Sequence, residues 1–286
     1  MRLLFHVLAR FPLVILHGLG NLIGWCLWLV PNGRRNTAYR NLEVCLPQQT
    51  RRERSRLVRR SLCHEIKTVL EMPVIWLGGE SRVLGMVREW RGAEVIDQAL
   101  AQGKGMILLT LHQGNWEACA IPFSRQYVAT GLYKPQPGAV NDLSLMGRGR
   151  FGGQMLAAEG GVGRALVKIL ASQETVYFMP DQDPPEGRGV YAPFFGVQAH
   201  TPTLVAKLVQ ASGAPVVFFY GERLPWGRGF IAHWFAAPAE IYSPDVETSV
   251  AGMNAGLERC ARDCPEQYWW GYKRFRRRPA GQARIY

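Results

Sequence analysis

The sequence predicts an α/β fold: one sandwich in which a mixed central sheet is flanked by helices, with a membrane-associated helix at the N-terminus. Three observations carry this. Met106 to Leu111, Val128 to Tyr133, Thr175 to Met179, Val216 to Tyr220 and Phe230 to Phe235 are apolar runs too short for helices, and they read as buried strands. Longer amphipathic stretches alternate with them, the pattern of helices packed on a sheet. Ahead of both, Phe11 to Val30 is twenty residues without a formal charge. We therefore divide the chain into an N-terminal membrane-associated unit, 1–33, and an α/β body, 34–286, long enough for one substantial core.

Phe11 to Val30 ends on Trp25, Trp28 and then Pro31, and is just long enough to cross a hydrocarbon layer. His17, Asn21 and three glycines weaken that reading in favour of a re-entrant or interfacial helix. No small-residue cleavage site follows, which argues against a signal peptide. Arg34, Arg35 and Arg40 bias the carboxyl-terminal side weakly toward the cytoplasm. Gln48 to Leu77 is the next helix. Six arginines between Arg51 and Arg60 crowd its start, and Leu57, Val58, Leu62, Ile66, Val69 and Leu70 give it an apolar face. Beside a membrane segment, such a helix rests on anionic lipid or receives an acidic carrier.

Glu94 to Gln102 is a short helix, and Gly103-Lys-Gly105 turns the chain into the Met106 strand. A helix follows from Glu117 to about Arg125. Gly138 to Gly153 is glycine-rich without phosphate-loop spacing. Further helices are expected over Gly161 to Ala171, Thr201 to Ala211 with a cap at Thr201, and Asp245 to Arg262. Phe230 to Phe235 is expected to run antiparallel at a sheet edge.

The net charge is +12, and 28 of the 34 basic residues are arginine, whose planar fork suits phosphate and carboxylate. A polyanionic partner follows: nucleic acid, an anionic membrane, a phosphorylated lipid or an acidic carrier protein. Six cysteines show no Cys-x-x-Cys pair and no accompanying histidine cluster, so they read as reduced, packed thiols and not as a zinc site.

Chemistry concentrates in Thr110-Leu-His-Gln-Gly-Asn-Trp-Glu117, at the end of the Met106 strand, where open α/β sheets place their ligands. His112 can take a proton from a hydroxyl, and a carboxylate such as Glu117 can fix its tautomer. Asn115 and the following backbone N–H groups are candidates to bind substrate or an oxyanion, or to cap the helix. Arg148 and Arg150 are candidates for substrate phosphate or the oxyanion. Asp181 and Asp183, after the Thr175 strand, point to the same edge; two aspartates there suit either a metal or ion pairs that position the arginines. The aromatic run Tyr268, Trp269, Trp270 and Tyr272 implies that the basic stretch Lys273 to Arg278 is packed and carries its charges to phosphates or a membrane.

His112-Gln-Gly-Asn-Trp-Glu117 resembles the His-Phe-Gly-Asn-Trp-Glu motif of the bacterial lipid A late acyltransferases, the lauroyl and myristoyl transferases. Tyr133-Lys-Pro135, Gly147-Arg-Gly-Arg150, Pro180-Asp-Gln-Asp183, Pro193-Phe-Phe-Gly196 with Thr201, and Glu266-Gln-Tyr-Trp-Trp270 through Pro279 resemble further motifs of that family in the same order. The resemblance implies transfer of a fatty acyl chain from acyl carrier protein to a hydroxyl of a lipid A precursor of the Kdo-lipid IVA type, in lipopolysaccharide biosynthesis. It implies a bacterial inner-membrane protein working on the cytoplasmic face against anionic lipid, with a phosphorylated glycolipid acceptor, no nucleic acid, no cofactor and no required metal. His112 is then the general base, attacking without an acyl-enzyme, and Glu117 its partner. Arg148, Arg150, Asn115, Asp181 and Asp183 would bind substrate. No Gly-x-Ser-x-Gly elbow is present to suggest a covalent route. Gln113, where the motif has Phe, leaves open a related enzyme acting on another glycolipid or aminolipid, with acyl-CoA as the alternative donor. A non-catalytic basic protein binding membranes or nucleic acid is the alternative of a different class.

Overall fold

A computed structural model describes residues 2–159 and 161–286. Its centre is a seven-stranded sheet built from β1 (Val87–Arg91), β2 (Met106–Leu109), β3 (Ala129–Tyr133), β4 (Gln154–Ala157), β5 (Thr175–Phe178), β8 (Val216–Arg223) and β9 (Phe230–Ala236), in the order β1-β9-β8-β2-β5-β3-β4. A separate antiparallel hairpin, β6 (Gly189–Phe194) with β7 (Val197–Pro202), stands beside it. Within the sheet, β8 and β9 are antiparallel and the other neighbours are parallel. The antiparallel expectation for β9 is met, but β1 pairs outside it, so β9 is not an edge strand. β1 is polar and only half-buried, and lacks the apolar run that marks the others.

Alternation along the strands divides the core. Ile107, Leu109, Val176, Phe178, Val216 and Phe218 face one layer, while Met106, Leu108, Tyr177, Val217 and Phe219 face the other. Helices α9 (Val162–Ala171), α10 (Leu204–Ser212) and α11 (Val246–Asp263) cover the first face; α6 (Glu94–Leu100) and α7 (Glu117–Phe123) cover the second. α11 begins at Asp245, whose carboxylate accepts from the Thr248 N–H at 2.8 Å. Thr201 does not cap α10; it lies in β7, with its hydroxyl buried against Asn254.

The long basic helix is α4 (Arg51–Leu77), opened by a capping box between Thr50 and Glu53. Its far end meets α8 (Ala139–Gly149). The N-terminus forms α1 (Arg2–Leu8) and α2 (Leu13–Leu29), bent 117° apart at Pro12; α3 (Gly33–Cys45) and α5 (Glu80–Leu84) complete the set. Among the described residues no single helix is long and apolar enough to cross a membrane. Physically, the 17 residues of α2 rise about 25 Å, short of the ~30 Å hydrocarbon core. One face of α2 is instead packed on α4: Leu16, His17, Gly20 and Gly24 are buried. A Cβ on Gly24 would stand 2.5 Å from Cys63 Cα, so this close approach requires glycine. The opposite face exposes Leu19, Leu22, Trp25 and Leu29.

Candidate active site

β2 and β5 are parallel neighbours in register, with Leu109 opposite Phe178. Three residues beyond each lie His112 and Asp181, so the sheet brings them together at its carboxyl edge. Asp181 holds His112 twice: ring Nδ1 to Oδ1 at 2.9 Å, and backbone N–H to Oδ2 at 3.1 Å. A carboxylate only accepts, so Nδ1 carries a proton, and in the neutral imidazole Nε2 is the nitrogen left with a lone pair. The Gln182 amide nitrogen stands 3.3 Å from that Nε2. Burial acts to raise the Asp181 carboxyl, but the positive charge His112 carries when protonated and the hydrogen bonds from its ring and backbone outweigh burial and hold it below the usual aspartate value. Trp116 and Trp269 pack against the imidazole, with centroids at 4.9 and 5.5 Å.

The expected pairing of His112 with Glu117 is therefore corrected. The Glu117 oxygens are taken elsewhere: Oε1 accepts from Arg148 Nε at 2.8 Å and Nη2 at 2.5 Å, and Oε2 from Trp76 Nε1 at 3.3 Å. Glu117 opens α7 and is buried, whereas His112 lies in the preceding loop and faces β5. Burial acts to lower the Arg148 pKa, and the adjacent Glu117 charge more than reverses it. Arg148 Nη1 has no hydrogen-bond partner among the described residues.

His112 and Arg148 both line a cavity of about 440 Å³, within the ~300–1,000 Å³ usual for small-ligand sites. Its walls include Leu132, Val140, Ala158, Phe178, Met179 and Leu204, with Tyr133 and Lys134 also present. The four other expected ligands, Asn115, Arg150, Asp181 and Asp183, do not line it. Asn115 is fully buried, capping α7 through Ala118 N–H and donating to Glu71 at 2.9 Å. Arg150 donates to the carbonyls of Ile75, Trp76 and Gly78, closing the carboxyl end of α4. Asp183 pairs with Arg277 at 2.6 Å and His200 at 2.8 Å, so it does position an arginine, whereas Asp181 positions a histidine.

The sequence reading missed the cluster beneath the loop. Glu71 on α4 receives both Arg223 Nε and Nη2, at 2.6 and 2.7 Å, and lies 2.6 Å from His17 Nε2 on α2. Arg223 also donates to Thr68, to His64 Nδ1 and to the Gly114 carbonyl. Burial and the Arg223 charge keep His64 neutral, far below its ordinary value. Burial likewise acts to raise Glu71, but Arg223 outweighs it and holds the carboxyl at about 2. Gly114 turns with φ +55, and a Cβ there would lie 1.7 Å from the Gly221 oxygen. The loop is pinned from the other side by Gly114 N–H to Gln267 and Trp269 N–H to His112, at 3.0 Å each. Gln113 is buried and donates to the Cys260 carbonyl at 2.8 Å.

The family profile described as bacterial lipid A biosynthesis acyltransferase matches residues 2–277. The chain is 31% identical over 279 residues to the lipid A biosynthesis lauroyltransferase of Escherichia coli (strain K12), across 96% of this chain and 90% of that protein. It is 28% identical over 287 residues to the palmitoleoyltransferase of the same organism (97% and 90%). To the myristoyltransferase it is 22% identical over 254 residues (88% and 78%).

Proposed function

We propose, for a chain that belongs to the bacterial lipid A biosynthesis acyltransferase family, that it transfers a fatty acyl group from an acyl carrier protein thioester to a hydroxyl of a phosphorylated lipid A precursor. The observation that carries this is His112: locked by Asp181, it presents an Nε2 met only by the Gln182 amide, at 3.3 Å, at the wall of a largely apolar cavity. The cavity takes the acyl chain. The acceptor hydroxyl gives its proton to Nε2 as its oxygen bonds to the thioester carbonyl carbon. Negative charge develops on the carbonyl oxygen, and Arg148 Nη1 is the donor placed to meet it, with Glu117 positioning the guanidinium. The C–S bond then breaks, and the leaving thiolate takes the proton from the imidazolium. No covalent enzyme intermediate is needed. Cys119, the cysteine nearest in sequence, is buried, and burial pushes its thiol up to about 12.

The same reading places the enzyme on the cytoplasmic face of the bacterial inner membrane, with α1 and α2 lying in the interface. Supporting it are the outward apolar side chains of both helices, including Leu3, Leu4, Leu22 and Leu29. Trp226 stands 81% exposed in a turn that lies against Leu13 and Val14, adding an interfacial aromatic to that surface.

The test is a transfer assay on purified protein with lauroyl-carrier protein, lauroyl-CoA and a tetra-acylated, sugar-bearing acceptor, wild type beside His112→Ala. Transfer from the carrier donor, absent in the variant, is the expected result. Thioester consumed without transfer to that acceptor would move the reading to another membrane lipid. Neither donor consumed by folded protein would remove the enzymatic assignment.

A further inference from the structure

Gln182 and Trp269, both against His112, also line a second cavity of about 900 Å³, and Gln182 is shared with the acyl pocket. Its walls carry Arg34, Lys273, Arg276 and Arg284, and no Asp or Glu is among the residues that line it. Arg34 is held to Glu65 at 2.8 Å and keeps about half of its side chain exposed. Lys273, Arg276 and Arg284 have no ion-pair partner among the described residues, and all three are exposed. The neighbouring arginines of the same segment behave differently. Arg274 is buried on His200 and Thr201, Arg277 is paired with Asp183, and Arg278 donates to the Gln198 carbonyl. Those three fasten the segment, and the fastening leaves Lys273, Arg276 and Arg284 on one cleft with no Asp or Glu paired to them among the described residues. Like charges held together by a packed backbone repel unless an anion joins them.

We infer that this cleft binds a phosphate group of a substrate whose reacting end lies at His112. The inference rests on the acyl-transfer reading above and adds to it a named phosphate subsite. A bound molecule would straddle Gln182, with apolar chain on one side and phosphate on the other. Two substrates carry such a group: the acceptor, as a sugar phosphomonoester, and the donor, as the phosphodiester of a pantetheine arm.

The experiment compares wild type, Arg276→Ala/Arg284→Ala and, as an equal charge loss elsewhere, Arg164→Ala/Lys207→Ala. KM and kcat are measured for the acceptor with and without its phosphates, and for acyl-carrier protein, acyl-CoA and a phosphate-free acyl-N-acetylcysteamine thioester. Calorimetric binding of the phosphorylated glycolipid in detergent is read alongside, independent of turnover. The cleft variant should raise KM for one phosphate-bearing substrate at least about tenfold. The phosphate-free counterpart and the control variant should not change. A rise confined to phosphorylated acceptor assigns the cleft to the acceptor; a rise shared by acyl-carrier protein and acyl-CoA assigns it to the donor. A rise with acyl-carrier protein alone would mean an acidic protein surface and overturn the inference, as would unchanged KM and binding. Wild type that turns over nothing yet binds phosphorylated glycolipid through these arginines would retain the subsite and overturn the acyl-transfer reading alone.

Discussion

Asp181 grips His112 by both ring and backbone, at 2.9 and 3.1 Å, across the carboxyl ends of two adjacent parallel strands. Asp181→Asn keeps the shape, removes the charge and permits the wrong tautomer. We expect kcat to fall by about 10² or more, with KM little changed. Initial rates across pH check this; a variant with wild-type kcat would detach Asp181 from the chemistry.

The direct attack proposed above predicts that no acylated protein forms. Incubating enzyme with donor alone, quenching in acid and weighing the intact protein should show the unmodified mass at every time point. An added acyl mass lost on addition of acceptor would replace the direct mechanism with a two-step one.

Glu117 is buried and Arg148 is its counter-ion. Arg148→Ala should cost about 3–5 kcal/mol of stability, because it strands a buried carboxylate. Glu117→Gln/Arg148→Met should be less destabilised than Arg148→Ala and equally inactive. Chemical denaturation of the single and double variants gives the coupling; additive losses would mean that the pair is not energetically linked.

Glu71 is held at about 2 against an ordinary 4.5. A depressed carboxyl contributes stability that is complete above its unfolded value and is lost as pH falls toward the folded one. The contribution is roughly 3 kcal/mol. Wild-type stability should therefore decline between pH 4.5 and 2, and the decline should be shallower in Glu71→Gln. Identical acid profiles of the two proteins would contradict this.

Leu22 and Leu29 project from the outer face of α2. Leu22→Glu/Leu29→Glu should leave the melting temperature within a few degrees of wild type and reduce co-flotation with anionic vesicles severalfold. Unaltered flotation would place the lipid contact elsewhere.

The sheet's parallel core was legible because β2, β3, β5 and β8 are apolar runs bounded by turns. β1 and the β6–β7 hairpin were not, since their side chains are half-buried and polar in places, and their pairing is decided by tertiary contact. The carboxyl edge announced His112 and Asp181. It did not reveal which acid meets the histidine: proximity in sequence favoured Glu117, while strand register chose Asp181. Arg223 had a usable signal, being a charged residue closing an apolar strand beside β2. So did Glu71, which falls with Leu57, Ser61, Thr68 and Ile75 on the buried stripe of α4. Asn115 and Arg150 looked like ligands by residue type; their real partners are a helix start and a helix end.

The packing of α2 bears on any effort to make this enzyme easier to handle. The same helix that turns leucines outward also delivers His17 to Glu71 and roofs the backbone at Cys63. Trimming residues 1–30 for solubility would leave a hole beside an ionised carboxylate that is one hydrogen bond, through Asn115, from the loop that carries His112. A soluble version is better sought by recolouring the outer stripe with polar side chains while Leu13, Leu16, His17, Gly20 and Gly24 stay as they are.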